Sequence, residues 1–477
     1  MKRKTKEKKM HTKVQKNTIV VAVITSFITT FMGSALTLSI PSMGKEFHAG
    51  AQNIGWVITA YMLTCCCLAI TFGRLADLLD RERILRIGIV VFAAASAAAV
   101  LSRGLWMLLV FRAIQGIGAS MIFATNIAVL SAAFDEEERG KVLGYAICAT
   151  YVGLSLGPVA GGVLNYHLGW RSIFITTAVL SSVAFYFAMF KLPKAKKKKR
   201  AKQDENGIQG KREKASFDVA GNVTYILGIF LVMYGLSFLK TKNYAPWMLT
   251  AGIILFVLFV KIETAKESPF INVKMLKDNL PYTLSNLAAL FNYGATFAVS
   301  YLLSLYLQTI KSMTSQTAGM ILITSTAVMA IFSPIFGRLS DRRSPFVLSA
   351  IGMALSAAAS AAFVFLQEKT PIWFLLVLLA VSGLGFSLFA SPNTNAVMSF
   401  VEKKDYGFAS ALLATMRSAG HTLSMAVITL VLGIFTDGGT IENTSAAAIM
   451  KSLQISFLVF TIFCILGIFM ALKRKVW

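Results

Sequence analysis

No aspartate or glutamate falls near the middle of any long apolar run in this sequence, and acidic residues are few throughout, 22 against 47 lysines and arginines. The chain therefore lacks the embedded carboxylate that usually binds a proton or attracts a cationic solute inside a membrane. Cysteine is scarce as well. Cys65, Cys66, Cys67, Cys148 and Cys464 all lie in apolar stretches, with no CxxC pair and no second cluster, which excludes a thiolate metal site and leaves them as small core residues. The four histidines, His11, His48, His167 and His421, are scattered. With no HExxH, no nucleophile beside a base and no paired carboxylates, the chain does not read as an enzyme, and neither a metal nor a cofactor is expected. No GxxxxGK[ST] phosphate loop occurs, which argues against direct drive by ATP. A soluble sensor domain is missing too, since the longest non-apolar segment, 191–216, is a charged linker of low complexity.

What fills the chain instead is apolar. Of 477 residues, 56% are hydrophobic and 35 are phenylalanine, with a mean hydropathy of +0.66. Long runs broken by charges fall near 18–40, 53–73, 84–102, 105–133, 142–164, 171–190, 218–239, 246–262, 282–309, 316–337, 345–366, 371–394, 406–434 and 452–472. About 20 residues of helix cross a hydrocarbon layer roughly 30 Å thick, so the composition predicts an all-α membrane protein with fourteen transmembrane helices. Fourteen is even, which puts both termini on one side. That side, with its loops, holds 37 of the 47 basic residues and the other side 8, so both termini are expected in the cytoplasm and the protein in the cytoplasmic membrane. The first apolar run is long for a signal peptide, and Gly33-Ser34-Ala35 lies inside it rather than after it, so it is expected to be retained. The basic tail and the run Lys196 to Arg200 set this topology and can meet anionic headgroups at about 1 kcal/mol per charge. They interleave no aromatics, so no nucleic-acid partner is expected.

Two segments repeat. Gly73-Arg74-Leu75-Ala76-Asp77 after the second run matches Gly337-Arg338-Leu339-Ser340-Asp341 after the tenth. Repetition in the same sense predicts two parallel six-helix halves related by an axis along the membrane normal. The resulting organisation is a basic cytoplasmic tail 1–17, an N-terminal six-helix bundle 18–190, a basic linker 191–216, two additional helices 217–263 and a C-terminal six-helix bundle 280–473. In each repeat a carboxylate stands at a helix end with a cation close behind. Asp77 can accept from a neighbouring helix N-terminus while Arg81 holds an acid such as Asp135, a pair of contacts able to latch one conformation. Asp341, with Arg342 and Arg343, would do the same in the second half.

The fifth run is dense in small residues, with Gly153, Gly157 and Gly161 on one face and Pro158 and Gly162 among them. Such a face permits close helix approach, and the proline frees a carbonyl and can bend the helix. Two basic residues fall within predicted spans, Arg112 and Arg417. A guanidinium there requires polar partners or a water-filled cavity. His421 lies one turn beyond Arg417 on the same face, either as a packing residue or as a proton carrier.

Together these residues resemble the major facilitator superfamily. The Asp77 and Arg81 loop resembles its motif A, Arg112-Ala113-Ile114-Gln115-Gly116 its motif B, and Gly153 to Gly162 its motif C, the antiporter signature. Trp56 to Leu63 and Phe217 to Gly221 look like the fourteen-helix drug:proton antiporter branch, and the resemblance runs from the first span to the last. It implies two six-helix bundles plus two extra helices, rocking about a central cavity to exchange protons for small amphipathic compounds, most simply as a monomer in the lipid bilayer. It further implies a cavity lined by Thr37, Tyr61, Gln115, Asn126, Tyr151, Asn292, Tyr293, Asn393 and Asn395, with proton coupling among Arg112, Asp77, His421 and Arg417. The chain departs from the family at Leu78, Asp80 and Glu82, and at Met32, where many members carry an aspartate. With no carboxylate in mid-span, either Asp77, Asp135 or His421 titrates near Arg112, or the substrate is neutral or anionic. Export of a specific endogenous metabolite is the alternative on the same scaffold.

Overall fold

The computed structural model describes residues 2–134, 136–191, 218–266, 273–340, 342–401, 406–436 and 444–473, with side chains for all of these except 2–13, 77–78, 136–141, 143–144, 147, 151, 273, 406–408 and 410–411. Among them no strand occurs. The helices are α1 (Lys2–Ser34), which continues through a 3₁₀ turn (Ala35–Ser39) into α2 (Ile40–Glu46), then α3 (Ala51–Leu78), α4 (Arg81–Val100), α5 (Leu105–Ala132), α6 (Glu136–Leu168) and α7 (Arg171–Phe190). An extra pair follows, α8 (Val219–Ser237) and α9 (Ala245–Ala265), and the short α10 (Val273–Asp278). The rest are α11 (Leu280–Leu305), ending in a π turn (Tyr306–Ile310), α12 (Ser315–Ser340), α13 (Pro345–Phe363), α14 (Ile372–Ser399), α15 (Tyr406–Thr436) and α16 (Ala446–Lys473).

Among the described residues thirteen segments are long and apolar enough to cross a membrane, one for every predicted run except the fifth. The fifth run is helical, within the 33-residue α6, several of whose side chains lie outside those described. Local chemistry marks the helix ends. The Asp80 side chain accepts from the Glu82 N–H at 3.1 Å and caps α4, so this departure from the family pattern is a helix start. Asp218 caps α8 through the Gly221 N–H at 2.8 Å, and Asn279 caps α11 just ahead of Pro281.

Two lobes share one packing scheme. In the first, α1 packs on α6 and α7, α5 on α3 and α4, and α4 on α7; in the second, α11 packs on α15 and α16, α14 on α12 and α13, and α13 on α16. A tight crossing recurs in each. A Cβ on Gly118 of α5 would lie 2.8 Å from the Gly88 carbonyl of α4, and one on Gly352 of α13 would lie 2.7 Å from the Gly385 carbonyl of α14. Gly88 and Gly352 stand at the same spacing along the chain as the Gly73 and Gly337 motifs. The interruptions match too, since the 3₁₀ turn breaks the first helix of one lobe and the π turn ends the first helix of the other.

The lobes meet along two seams, α3 against α15 and α6 against α12. The inter-lobe hydrogen bonds include Ser304 to the Thr37 carbonyl at 3.0 Å, Asn165 to Ser315 at 3.1 Å, Ser315 to the Gly162 carbonyl at 3.0 Å and Ser155 to the Thr326 carbonyl at 3.4 Å. These lie in the half of the bundle away from the chain termini. At the end that carries the termini, Gln15 donates to the Ala133 carbonyl and Asn17 to that of Lys191, drawing α1, α5 and α7 together. At the far end Glu46 takes Arg171 in a forked pair at 2.6 and 3.0 Å and the Trp170 indole at 2.7 Å, which fastens α2 to the start of α7. The pair α8 and α9 packs on the outside of the α3/α15 seam. Its hydrogen bonds go to α3, with Thr71 donating to Asn222 at 2.7 Å, Tyr225 to the Cys66 carbonyl at 3.2 Å and Gln52 to the Ser237 carbonyl at 2.7 Å.

Candidate functional site

The helix crossings leave a cavity of about 110 Å³ at the centre, with walls from both lobes. The first lobe supplies Thr29, Thr30, Gly33, Ser34 and Thr37 on α1 and its 3₁₀ turn, Tyr61, Met62 and Cys65 on α3, Phe123 on α5, and Thr150, Leu154 and Pro158 on α6. The second supplies Tyr293, Thr296, Phe297 and Ser300 on α11, Ser325, Thr326 and Met329 on α12, Phe386 on α14, and Arg417, Ser418 and His421 on α15. Helical spacing explains the selection. Thr29, Gly33 and Thr37 recur every four residues, as do Tyr293, Phe297 and Tyr301 nearby, so each helix turns one stripe inward. The Phe297 and His421 rings are 5.0 Å apart, tilted by 34°, and Tyr293 meets Phe386 edge-on at 5.5 Å. None of the described lining residues is acidic.

Arg112 has polar partners and stands behind the cavity wall. It is fully buried, with Nε donating to the Val57 carbonyl at 2.8 Å and Nη1 to Gln115 Oε1. Gln115 in turn donates to Ser96 at 2.7 Å, which joins α3, α4 and α5 through one polar chain. The guanidinium lies over the Tyr61 ring, 4.4 Å from its centroid, and the Tyr61 hydroxyl donates to the Thr29 carbonyl at 2.9 Å. Tyr61 therefore touches Arg112 with its ring and the cavity with its edge. The correspondence that carries Gly118 onto Gly385 carries Arg112 onto Leu379, so the second lobe has no copy of this device.

Of the side chains expected to line the cavity, the structure brings Thr37, Tyr61 and Tyr293 there. Five amides lie elsewhere and tie helices together. Gln115 belongs to the Arg112 chain; Asn126 donates to the Ala22 carbonyl and Ser26; Asn292 donates to Met353 Sδ; Asn393 to the Ser285 carbonyl; and Asn395 to Ser340. A buried amide finds a neighbouring backbone more readily than open water, and the helix face it sits on is set by packing. Tyr151 lies outside the described side chains. Met32, where the family resemblance expects an aspartate, is buried against α7, with Thr177 donating to its sulfur at 3.3 Å. The aromatic and thioether lining of Phe123, Phe297, Met329 and Phe386 was not singled out from sequence, although the inward stripe on α11 carries a readable signal.

Arg417 and His421 both reach the cavity. The latch residues Asp77, Asp135 and Asp341 lie outside the described side chains. Gly73 has open space about it, and a Cβ on Gly337 would lie 3.7 Å from the Ser391 side chain. The small-residue face of α6 is shared between two neighbours. A Cβ on Gly153, Gly157 or Gly161 would collide with α1 and its 3₁₀ turn, while one on Gly162 would strike the Ser315 backbone of α12. Pro158 lines the cavity between them, its carbonyl close to Gly319 of α12. The five cysteines are free thiols; Cys148 is exposed on α6, in place of the core position expected, and Cys65 borders the cavity.

Two parallel six-helix lobes around a polar and aromatic cavity define a known architecture, and the sequence agrees with it. The profile of the Major Facilitator Superfamily matches residues 22–270 and 286–476. The chain belongs to the Major Facilitator Superfamily. It is similar over 408 residues, at 28% identity, to the riboflavin transporter RibZ of Clostridioides difficile (strain 630), covering 86% of each chain. The multidrug resistance protein Stp of Mycobacterium tuberculosis (strain CDC 1551 / Oshkosh) is 25% identical over 424 residues, 88% of this chain and 76% of that one. The methylenomycin A resistance protein of Bacillus subtilis (strain 168) is 26% identical over 420 residues, 87% of each. Among solved structures, the nucleoside transporter NupG superposes with a TM-score of 0.62 at 14% identity, over 96% of this chain and 99% of that one, which supports the superfamily fold. This is a multi-pass membrane transporter rather than an enzyme.

Proposed function

We propose that this superfamily member exports amphipathic drugs or toxic compounds across the cytoplasmic membrane in exchange for protons, by alternating access, as a fourteen-helix drug:proton antiporter. The observation that carries the reading is the central cavity, closed by one stripe from each of the inward helices of both lobes and lined by aromatic rings, methionines and hydroxyls. Flat rings and adaptable thioethers suit loose recognition of apolar compounds. Drug-sized ligands occupy pockets of roughly 300–1,000 Å³. At about 110 Å³ the cavity is smaller, so loading requires the lobes to separate along the α3/α15 and α6/α12 seams. The antiporter resemblance of α6 and the two resistance proteins among the relatives support export.

In this reading both termini are cytoplasmic, as the excess of basic residues at that end supports, and the transporter works as a monomer. Asp77, Arg81, Asp135 and Asp341 form the latch at the cytoplasmic end. Tyr61 relays occupancy of the cavity to Arg112, and the proton is carried by Asp77, Asp135 or His421, with the fixed charges of Arg112 and Arg417 coupling its binding to conformation. The membrane potential supplies about 2.3 kcal/mol per 100 mV for each charge moved, so one titrating site suffices to drive export. Cells expressing the protein are expected to resist a panel of amphipathic antibiotics and to extrude dyes, with both effects collapsing in a protonophore. Resistance that persists with the gradient dissipated would sink proton coupling. A second reading, export of one neutral or anionic metabolite, is favoured by the small acid-free cavity and by the riboflavin transporter among the relatives. It predicts accumulation of a single compound in cells lacking the protein, with unchanged dye tolerance.

A further inference from the structure

The two guanidiniums inside the bundle differ in one respect that bears on substrate. Arg112 stands behind the cavity wall, with Nε and Nη1 given to Val57 and Gln115 and its plane over the Tyr61 ring, so only Nη2 is left without a hydrogen bond among the described residues. Arg417 lies on the cavity wall, half-buried, with no hydrogen bond, ion pair or ring contact among the described residues. No described lining residue is acidic, and no aspartate or glutamate of the whole sequence falls in mid-span to reach it. A guanidinium in this setting calls for an anion, and its planar fork matches a carboxylate in two parallel hydrogen bonds. The groups around it are flat. Tyr293, Phe297, Phe386 and the His421 imidazole stand on the same side of the cavity, with ring separations of 5.0 to 6.0 Å, and offer faces and edges to a planar ring system. Met329 packs with Tyr293 and Phe386, and the first lobe adds Met62, Phe123 and Leu154 with the hydroxyls of Thr29, Thr30 and Thr37.

We propose that the cavity selects planar aromatic carboxylates, with the carboxylate forked on Arg417 and the ring against Phe297, Tyr293 and His421. This rests on the reading of the cavity as the transport site, and it names the substrate class of that site. A compound of this class neutralises Arg417 when it binds and leaves it bare when it departs. Cationic drugs, by contrast, would meet Arg417 as a like charge in a space without a counter-ion.

The test is binding of three probes of one shape, 2-naphthoate, 2-naphthamide and protonated 2-naphthylmethylamine, to the full chain in lipid nanodiscs by calorimetry. The expected result is that the carboxylate binds at least tenfold more tightly than the amide and the amine. Arg417→Gln is expected to remove that preference and Arg417→Lys to keep part of it, with thermal unfolding of each variant confirming that it is folded. The comparison on the wild-type protein stands without any variant. Equal binding of the three, or preference for the amine, overturns the inference, as does failure of all three to bind while the dye panel is still exported. If naphthoate binds through Arg417 but no compound of any charge is moved by cells, the transport reading fails and the carboxylate site stands.

Discussion

At the scale of single residues, the two arginines show how surroundings assign work to one side-chain type. Arg112 joins α5 to α3 through Val57 and the Tyr61 ring, and to α4 through Gln115 and Ser96, so it fastens three helices behind the cavity wall. Truncation leaves Gln115 Oε1 buried without its donor, at about 1–3 kcal/mol, while the Val57 carbonyl keeps its helix bond within α3. Arg112→Ala is therefore expected to lower the unfolding temperature in detergent and reduce resistance to that of cells without the protein. Arg112→Lys keeps the charge but cannot reach both acceptors in the same plane, so intermediate resistance is expected. Full resistance in Arg112→Ala would remove it from the transport cycle. Tyr61→Phe separates its two contacts, since it keeps the ring over Arg112 and loses the bond to the Thr29 carbonyl, worth about 1 kcal/mol. Near-normal efflux is expected for it, and strong loss for Tyr61→Ala. Sequence made Arg112 conspicuous because charge inside an apolar run is rare. It left the amides ambiguous, because the partners to which Asn126, Asn292, Asn393 and Asn395 donate are carbonyls, hydroxyls and a thioether on helices remote in sequence.

At the scale of elements, α6 and α8 carry the sharpest expectations. Gly157 lies so close to Ser34 and Ala35 of the first span that a methyl group has no room; the nearest backbone nitrogen would be 3.1 Å away. Gly161 faces the Ala35 backbone, and a Cβ there would lie 2.9 Å from the Ala35 Cα and closer still to its carbonyl. Gly157→Ala and Gly161→Ala are expected to push α1 and α6 apart, costing about 1–3 kcal/mol by overpacking and most of the transport rate. Gly73→Ala meets nothing within 4 Å and adds helix propensity, so it should fold at least as well as the parent. Thermal unfolding and efflux rates of the three variants check this contrast. At the start of α8, burial pushes the Asp218 carboxyl up, but hydrogen bonds from Lys266, from the Gly221 N–H and from the Glu263 carboxyl in its protonated form outweigh it and leave the group below its ordinary value. A group depressed by folding contributes stability above its unfolded value and loses it as pH falls through the folded one. The α8–α9 pair should therefore loosen only in acid, below about pH 4, and Asp218→Asn should flatten that part of a stability-against-pH curve. An unchanged curve would show that the cap does not hold the pair. Glu263, 2% exposed at the end of α9, is the partner that hydropathy concealed, since one acid near a helix end barely alters the average over a span.

At the scale of the whole molecule, the two-lobe plan was legible because its signals are local and repeated. Hydropathy needs only a window of residues, and the Gly73 and Gly337 motifs repeat at a fixed offset that the Gly88 and Gly352 crossings share. The seams between lobes were not legible. They depend on which stripes of α3, α6, α12 and α15 face one another, and that is decided by packing between segments far apart along the chain, as the Ser155 and Thr326 contact shows. If transport is a rocking of the lobes, this seam must open and close. Ser155 Oγ donates to the Thr326 carbonyl at 3.4 Å, and Thr326 Oγ1 returns a bond to the Ser155 carbonyl at 3.5 Å, so the two residues are neighbours across α6 and α12. Cysteines at both positions are close enough for oxidation to join them or for a short bifunctional reagent to span them. The expected outcome is that cross-linking stops efflux and that reduction of a disulfide restores it, with single-cysteine controls unaffected. Efflux at an undiminished rate through a fully cross-linked protein would mean that the α6/α12 seam is static, and the moving surface would then have to be sought at α3 and α15, under the cover of α8.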